Sequence, residues 1–124
     1  DVYKTMVYRF AHYSNSVSPV IPQAVIDRAP TAELAPNQKD EDSLPPYEKL
    51  DKMLEMYIEQ NSSIEAIIDA GFDQETVHHV IRLVTRSEYK RRQAPPGTRV
   101  TRKGFGRDWR SPITSKYVEH EIGE

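Results

Sequence analysis

There is no cysteine among the 124 residues, which excludes disulfides, thiolate metal sites and a cysteine nucleophile. A cytoplasmic setting is the expectation that this leaves unopposed. Nor does any apolar run approach the roughly 18 to 20 residues of a membrane-spanning helix, and the first ten residues are amphipathic rather than signal-like. Missing too are a Walker loop, a nucleophile elbow, a Ser/His/Asp arrangement and the H-E-x-x-H spacing, so nothing reads as a self-contained active site. His78 and His79 are neighbours that diverge by about 100° on a helix, which prevents both from binding one metal. His12 and His120 are isolated, and Asp40-Glu41-Asp42 lacks the glycine and closing glutamate of a calcium loop. Gly104-Phe105-Gly106 has no strand before it and no helix behind it, so it reads as a turn rather than a dinucleotide fingerprint.

What is present fits one modest core with long connectors: 37% hydrophobic residues, 29% charged and nine prolines. The net charge of −2 conceals a marked asymmetry, because Asp27 to Glu75 carries 13 acids against 4 bases and Arg86 to Arg110 carries 9 bases against 2 acids. Such a dipolar chain can fold its halves together or show them to partners of opposite charge.

Hydrophobic spacing predicts five helices and no convincing strand. The first covers about 2–13 and ends near Asn15, with Tyr3, Met6, Val7, Phe10 and Ala11 on its apolar stripe. Because helical spacing is present from the first turn, the chain reads as a portion of something longer. Pro22 is placed at the first position of a short helix to Arg28. Residues 29–46, with four prolines and an acidic cluster, are expected to form a long mobile loop. A third helix over about 46–60 presents Tyr47, Leu50, Met53, Leu54, Tyr57 and Ile58. Ser62 and Glu65 have the spacing of a capping box for a fourth, which Gly71 ends in the left-handed region. Asp73 caps the fifth, whose buried face is Val77, Val80, Ile81 and Val84 and which continues through Glu88 and Tyr89 into Lys90-Arg91-Arg92. The remaining residues, 94–124, are too poor in apolar side chains for a core and are expected to lie as an extended tail over a larger surface.

That basic run before Ala94-Pro95-Pro96-Gly97 suits a helix C-terminus, and it also suits an anionic, phosphate-bearing partner. Lys4 on the first helix and Thr31 in the loop are further potential anion contacts. Taken in order, Asp1-Val2-Tyr3-Lys4-Thr5-x-Val7-Tyr8, Pro30-Thr31-Ala32-Glu33-Leu34, Asp40-x-Asp42-Ser43-Leu44-Pro45-Pro46-Tyr47, Glu88 through Gly97, and Phe105-Gly106-Arg107-Asp108 resemble the C-terminal portion of bacterial glutamine-dependent NAD synthetases over almost the whole chain.

The resemblance implies a mainly α chain that is the C-terminal helical portion of a Rossmann-like α/β synthetase domain of the adenine nucleotide alpha hydrolase type. It implies an ATP-dependent amide ligase, in which the nicotinate carboxylate of deamido-NAD is adenylated, pyrophosphate leaves, and ammonia derived from glutamine displaces AMP to give NAD. Magnesium enters with ATP, and no prosthetic group is implied. By the same resemblance Lys4 contacts the ATP phosphates, Thr31 meets ATP from a mobile loop, and Tyr89 and Lys90 contact deamido-NAD, all converging around one adenylated dinucleotide. Glu33, Asp40, Asp42, Arg91 and Arg92 are supporting candidates around these ligands. The family's Ser-Gly-Gly-x-Asp-Ser nucleotide loop and its glutaminase Glu-Lys-Cys triad are absent from this sequence. The chain alone is therefore expected to be inactive, with the remainder of the synthetase and glutaminase domains as its partner and a homo-oligomer as the full assembly. The rival reading is a small helical nucleic-acid- or protein-binding module that uses the basic C-terminal segment.

Overall fold

The structure, a computed structural model, describes residues 2–31, 36–40 and 43–115. These residues form helices, turns and extended connectors, with no strand among them. The helices are α1 (Lys4–Val17), α2 (Gln23–Asp27), α3 (Tyr47–Leu54), α4 (Ile64–Asp69), α5 (Gln74–Arg86) and α6 (Glu88–Arg92), and α3 runs on into a π-helical turn, Glu55–Glu59. No described helix is long and apolar enough to cross a membrane. Two compact units divide the chain, residues 2–51 and residues 52 onward, with the boundary inside α3.

In the first unit, α1 extends past Asn15 to Val17, so Asn15 is not its end. The Asn15 carboxamide instead fastens the following connector: its Oδ1 accepts the Val20 and Ile21 N–H groups at 3.1 and 2.9 Å, and its Nδ2 donates to the Ile21 carbonyl at 2.8 Å. The expected apolar stripe does form a face of α1, but none of its residues is buried. Tyr3, Met6 and Ala11 are half-buried, whereas Val7, Phe10, Tyr13 and Val17 are exposed. Pro22 stands one residue ahead of α2 and accepts the Val25 N–H at 2.9 Å. Among the described residues of the 29–46 segment, the Asp40 N–H donates to the Pro30 carbonyl at 3.0 Å.

The second unit contains most of the core. Met53, Ile58, Ile64, Ile67, Val77, Val80, Ile81 and Val84 are buried, with α4 packed on α5 and on the π-helical turn, and α5 on α6. The apolar positions predicted for α5 are the ones it buries. In the π-helical turn, the Gln60 N–H reaches back five residues to the Glu55 carbonyl, and the Ser62 N–H goes to Met56. Because the Ser62 amide closes this widened turn, the N-cap of α4 falls one residue later than the capping-box spacing indicates. It is Ser63 whose hydroxyl oxygen accepts the Ala66 N–H, at 3.2 Å. Gly71 follows α4 at φ +97°. A Cβ there would meet nothing within 4 Å, so the positive φ alone is what favours glycine. Asp73 caps α5 through the Thr76 N–H and hydroxyl at 2.9 and 2.8 Å, contacts that hold its carboxyl below the usual range.

Candidate functional site

The predicted fifth helix is in fact two. Ser87 ends α5 by donating its N–H to the Leu83 carbonyl at 3.0 Å, and its own carbonyl accepts the Lys90 and Arg91 N–H groups as the first turn of α6. This separate short helix allows its five side chains to divide into two sets. Tyr89 and Lys90 are exposed, whereas Glu88 is 2% exposed and the side chain of Arg91 10%.

Glu88 organises the inward set. Its carboxylate accepts Arg91 Nη2 at 2.7 Å, Arg92 Nε at 3.0 Å and the backbone N–H of Ser111 at 3.1 Å. Burial pushes this carboxyl up, but Arg92, the Ser111 N–H and Arg91 together pull it further down, so the net displacement is below the ordinary glutamate range. Arg91 also donates Nη1 to the Val84 carbonyl at 2.6 Å, satisfying a backbone acceptor at the end of α5, and its guanidinium lies 4.6 Å from the centre of the Phe105 ring. Arg92 reaches the Ser111 carbonyl at 3.0 Å. Ser111 is thus held by its N–H and its carbonyl, and the chain beyond α6 is fastened to that helix.

Between these points the tail forms a turn at Gly104–Asp108. The Gly104 N–H donates to the Asp108 carboxylate at 2.7 Å, and the same oxygen pairs with Arg99 at 2.7 Å. Lys103 donates to the Ile58 carbonyl and to Asn61 Oδ1 at 2.6 and 2.5 Å, placing a cation where the π-helical turn leaves acceptors. Trp109 meets the edge of Tyr57 with ring centres 5.3 Å apart.

Lys4 and Thr31 belong to the first unit, Tyr89 and Lys90 to the second, and each pair is described within its own unit. Lys4 is the first residue of α1, with its ammonium 5.6 Å from the Tyr8 ring centre and no acid in the first turn. A cation at the positive end of a helix is locally unfavourable, and the contact with the Tyr8 ring offsets part of that cost. The helix start is satisfied instead by buried Asp51 of α3, whose carboxylate accepts the Thr5 N–H at 2.7 Å. Thr31 is half-buried at the entry to the loop. Asp40, a supporting candidate by resemblance, accepts the Tyr47 hydroxyl at 2.5 Å; burial first, then this carboxylate, push the phenol well above its usual range. Glu33 and Asp42 lie outside the described residues. No group of three or more His, Cys, Asp or Glu converges among the described residues.

Sequence reasoning missed the roles of Glu88 and Asp51. The first had a signal, since a glutamate followed at i+3 and i+4 by two arginines is a helical ion-pair pattern. The second had none, because Asp51 and its partner Thr5 are 46 residues apart.

Residues 1–94 match the profile of the NAD synthase family. The chain belongs to that family. Glutamine-dependent NAD(+) synthetases from Aquifex aeolicus and Thermotoga maritima are 52% and 46% identical to it, each alignment covering 96% of this chain and 21% of the relative. The glutamine-dependent NAD+ synthetase of Acinetobacter baumannii, solved in complex with ADP, superposes with a TM-score of 0.60 at 45% identity, over 98% of this chain and 21% of that one. This NAD synthase chain therefore spans about a fifth of the length of the relatives it matches, and its helical architecture is that of a helical part of the synthetase.

Proposed function

We propose that this chain is the substrate-binding C-terminal portion of a glutamine-dependent NAD synthetase, an ATP-dependent amide ligase that converts deamido-NAD to NAD. The observation that carries the reading is family membership over residues 1–94. In the reaction, an oxygen of the nicotinate carboxylate attacks the α-phosphorus of ATP, releasing pyrophosphate, and ammonia then attacks the acyl carbon, releasing AMP. Lys4 is assigned to the ATP phosphates and Thr31 to ATP, with magnesium arriving as part of the ATP complex and no prosthetic group. A lysine can follow charge as it moves onto departing pyrophosphate, and a loop hydroxyl can complete a phosphate shell. Tyr89 and Lys90 are assigned to deamido-NAD, where an aromatic face suits a planar ring and an ammonium suits a phosphate. Their exposure on α6 supports this reading, as does the ADP bound to the Acinetobacter relative.

The partner is the remainder of the synthetase and its glutaminase domain. Val7, Phe10, Tyr13 and Val17, an apolar face of α1 without a buried residue, are a surface for that polypeptide to cover. A cytoplasmic homo-oligomer is the proposed working form. The rival reading as a nucleic-acid- or protein-binding module receives no support from these relatives.

Lys4→Ala in the full-length synthetase that carries this segment tests the ATP assignment. Loss of a charge-assisted contact is expected to raise the KM for ATP by about tenfold, with the KM for deamido-NAD and the melting temperature unchanged. An unaltered KM for ATP would remove Lys4 from the site.

A further inference from the structure

Beyond α6, the second unit encloses a pocket of about 330 Å³ lined by five arginines, Arg91, Arg92, Arg99, Arg107 and Arg110, and by one acid, Asp108. Neither Tyr89 nor Lys90 lines it, so it is separate from the contacts assigned above to deamido-NAD. We propose that this pocket is a binding site for a small phosphate-bearing anion of the size of pyrophosphate or a nucleotide's phosphate tail.

Among the described residues, the carboxylates at the pocket do not balance its arginines. Glu88, behind its wall, is shared by Arg91 and Arg92, and Asp108 pairs with Arg99. Among the described residues, five arginines at the pocket are thus set against two carboxylates. Among the described residues the side chains of Arg107 and Arg110 have no partner, which leaves their guanidinium donors free for an anion in the pocket. Arginine is also suited to the task, because its planar fork matches phosphate oxygens two at a time.

Shape and charge favour a small anion over a nucleic acid. The arginines converge on one concavity rather than following a stripe, and the chain's overall charge is −2, with its acids concentrated between Asp27 and Glu75. A long polyanion would meet that acidic stretch as well as the pocket.

The test is calorimetric titration of the 124-residue chain with inorganic pyrophosphate, ATP and adenosine at low salt. Pyrophosphate is expected to bind one per chain in this pocket, ATP to compete with it, and adenosine not to bind. The double variant Arg107→Gln/Arg110→Gln alters two exposed side chains with no partner in the described structure. It is expected to retain its helical circular dichroism and to bind pyrophosphate at least about tenfold more weakly. Should it lose helicity, Arg110→Gln alone carries the same expectation at about threefold. Equal pyrophosphate affinity in wild type and variant, absence of binding to the wild-type chain, or adenosine binding as well as ATP would overturn the proposal. So would a short single-stranded oligonucleotide that binds more tightly than pyrophosphate with a steep loss in salt, since that would reassign the pocket to nucleic acid.

Discussion

Glu88→Ala is expected to lower the stability of the second unit by about 3–5 kcal/mol, the range for breaking a buried ion pair from one side. The glutamate is 2% exposed and accepts three donors at 2.7 to 3.1 Å. Its removal leaves the Arg91 guanidinium, only 10% exposed, without a counter-charge. Most of the loss arises there rather than at Arg92, whose side chain is 40% exposed and screened by water. The Ser111 N–H loses its acceptor as well, so the tail should detach from α6 together with the fall in midpoint. Glu88→Gln keeps the shape and one acceptor and should lose less. Denaturant unfolding of the two variants measures the difference; a change below about 1 kcal/mol for Glu88→Ala would show that the carboxylate is not the organising group.

The sign of the pH dependence follows from the same contacts. The folded state holds the Glu88 carboxyl below its ordinary value of 4.5, so the charged form is the one that folding favours. Its contribution is present above that value and is lost as pH falls through the lower folded value. Wild type should therefore weaken in acid more steeply than Glu88→Gln, and the two stability curves should approach each other below about pH 4.

The second large effect separates two adjacent cations. In the full-length synthetase that carries this segment, Lys90→Ala is expected to raise the KM for deamido-NAD by about 10- to 100-fold, the worth of a charge-assisted contact. Its melting temperature should not move, because the Lys90 side chain is exposed and has no partner in the described structure. Arg91→Ala should do the opposite first: it removes the donor to Val84 and Glu88 and leaves that buried carboxylate short of a cation. The melting temperature should fall before any effect on substrate is resolved. If Lys90→Ala destabilised the protein while Arg91→Ala left stability intact and raised the KM, the division of α6 into an outward and an inward set would be wrong.

The legible parts of the sequence were those governed by neighbours. Val77, Val80, Ile81 and Val84 lie on one helical stripe and are buried together, and Gly71 and Asp73 act where local capping chemistry places them. The Ser63 cap was displaced by one residue because the amide of Ser62 is taken by a π-helical turn, which leaves no periodic trace in the side chains. Asn15 looked like a helix end because asparagine commonly is one; its side chain instead serves a connector five and six residues ahead. The basic run was visible as charge, but not the direction in which each cation points. That depends on Glu88, which is buried only once the tail returns through Ser111, 23 residues away.

One assay reaches the claim on which the rest depends: NAD formation from deamido-NAD, ATP, magnesium and ammonium by the 124-residue chain alone. A chain that supplies binding elements without the Ser-Gly-Gly-x-Asp-Ser nucleotide loop should yield no NAD above background, even with ammonium in place of glutamine. Turnover within about tenfold of a full-length glutamine-dependent NAD synthetase, a barrier difference of only about 1.4 kcal/mol, would contradict it.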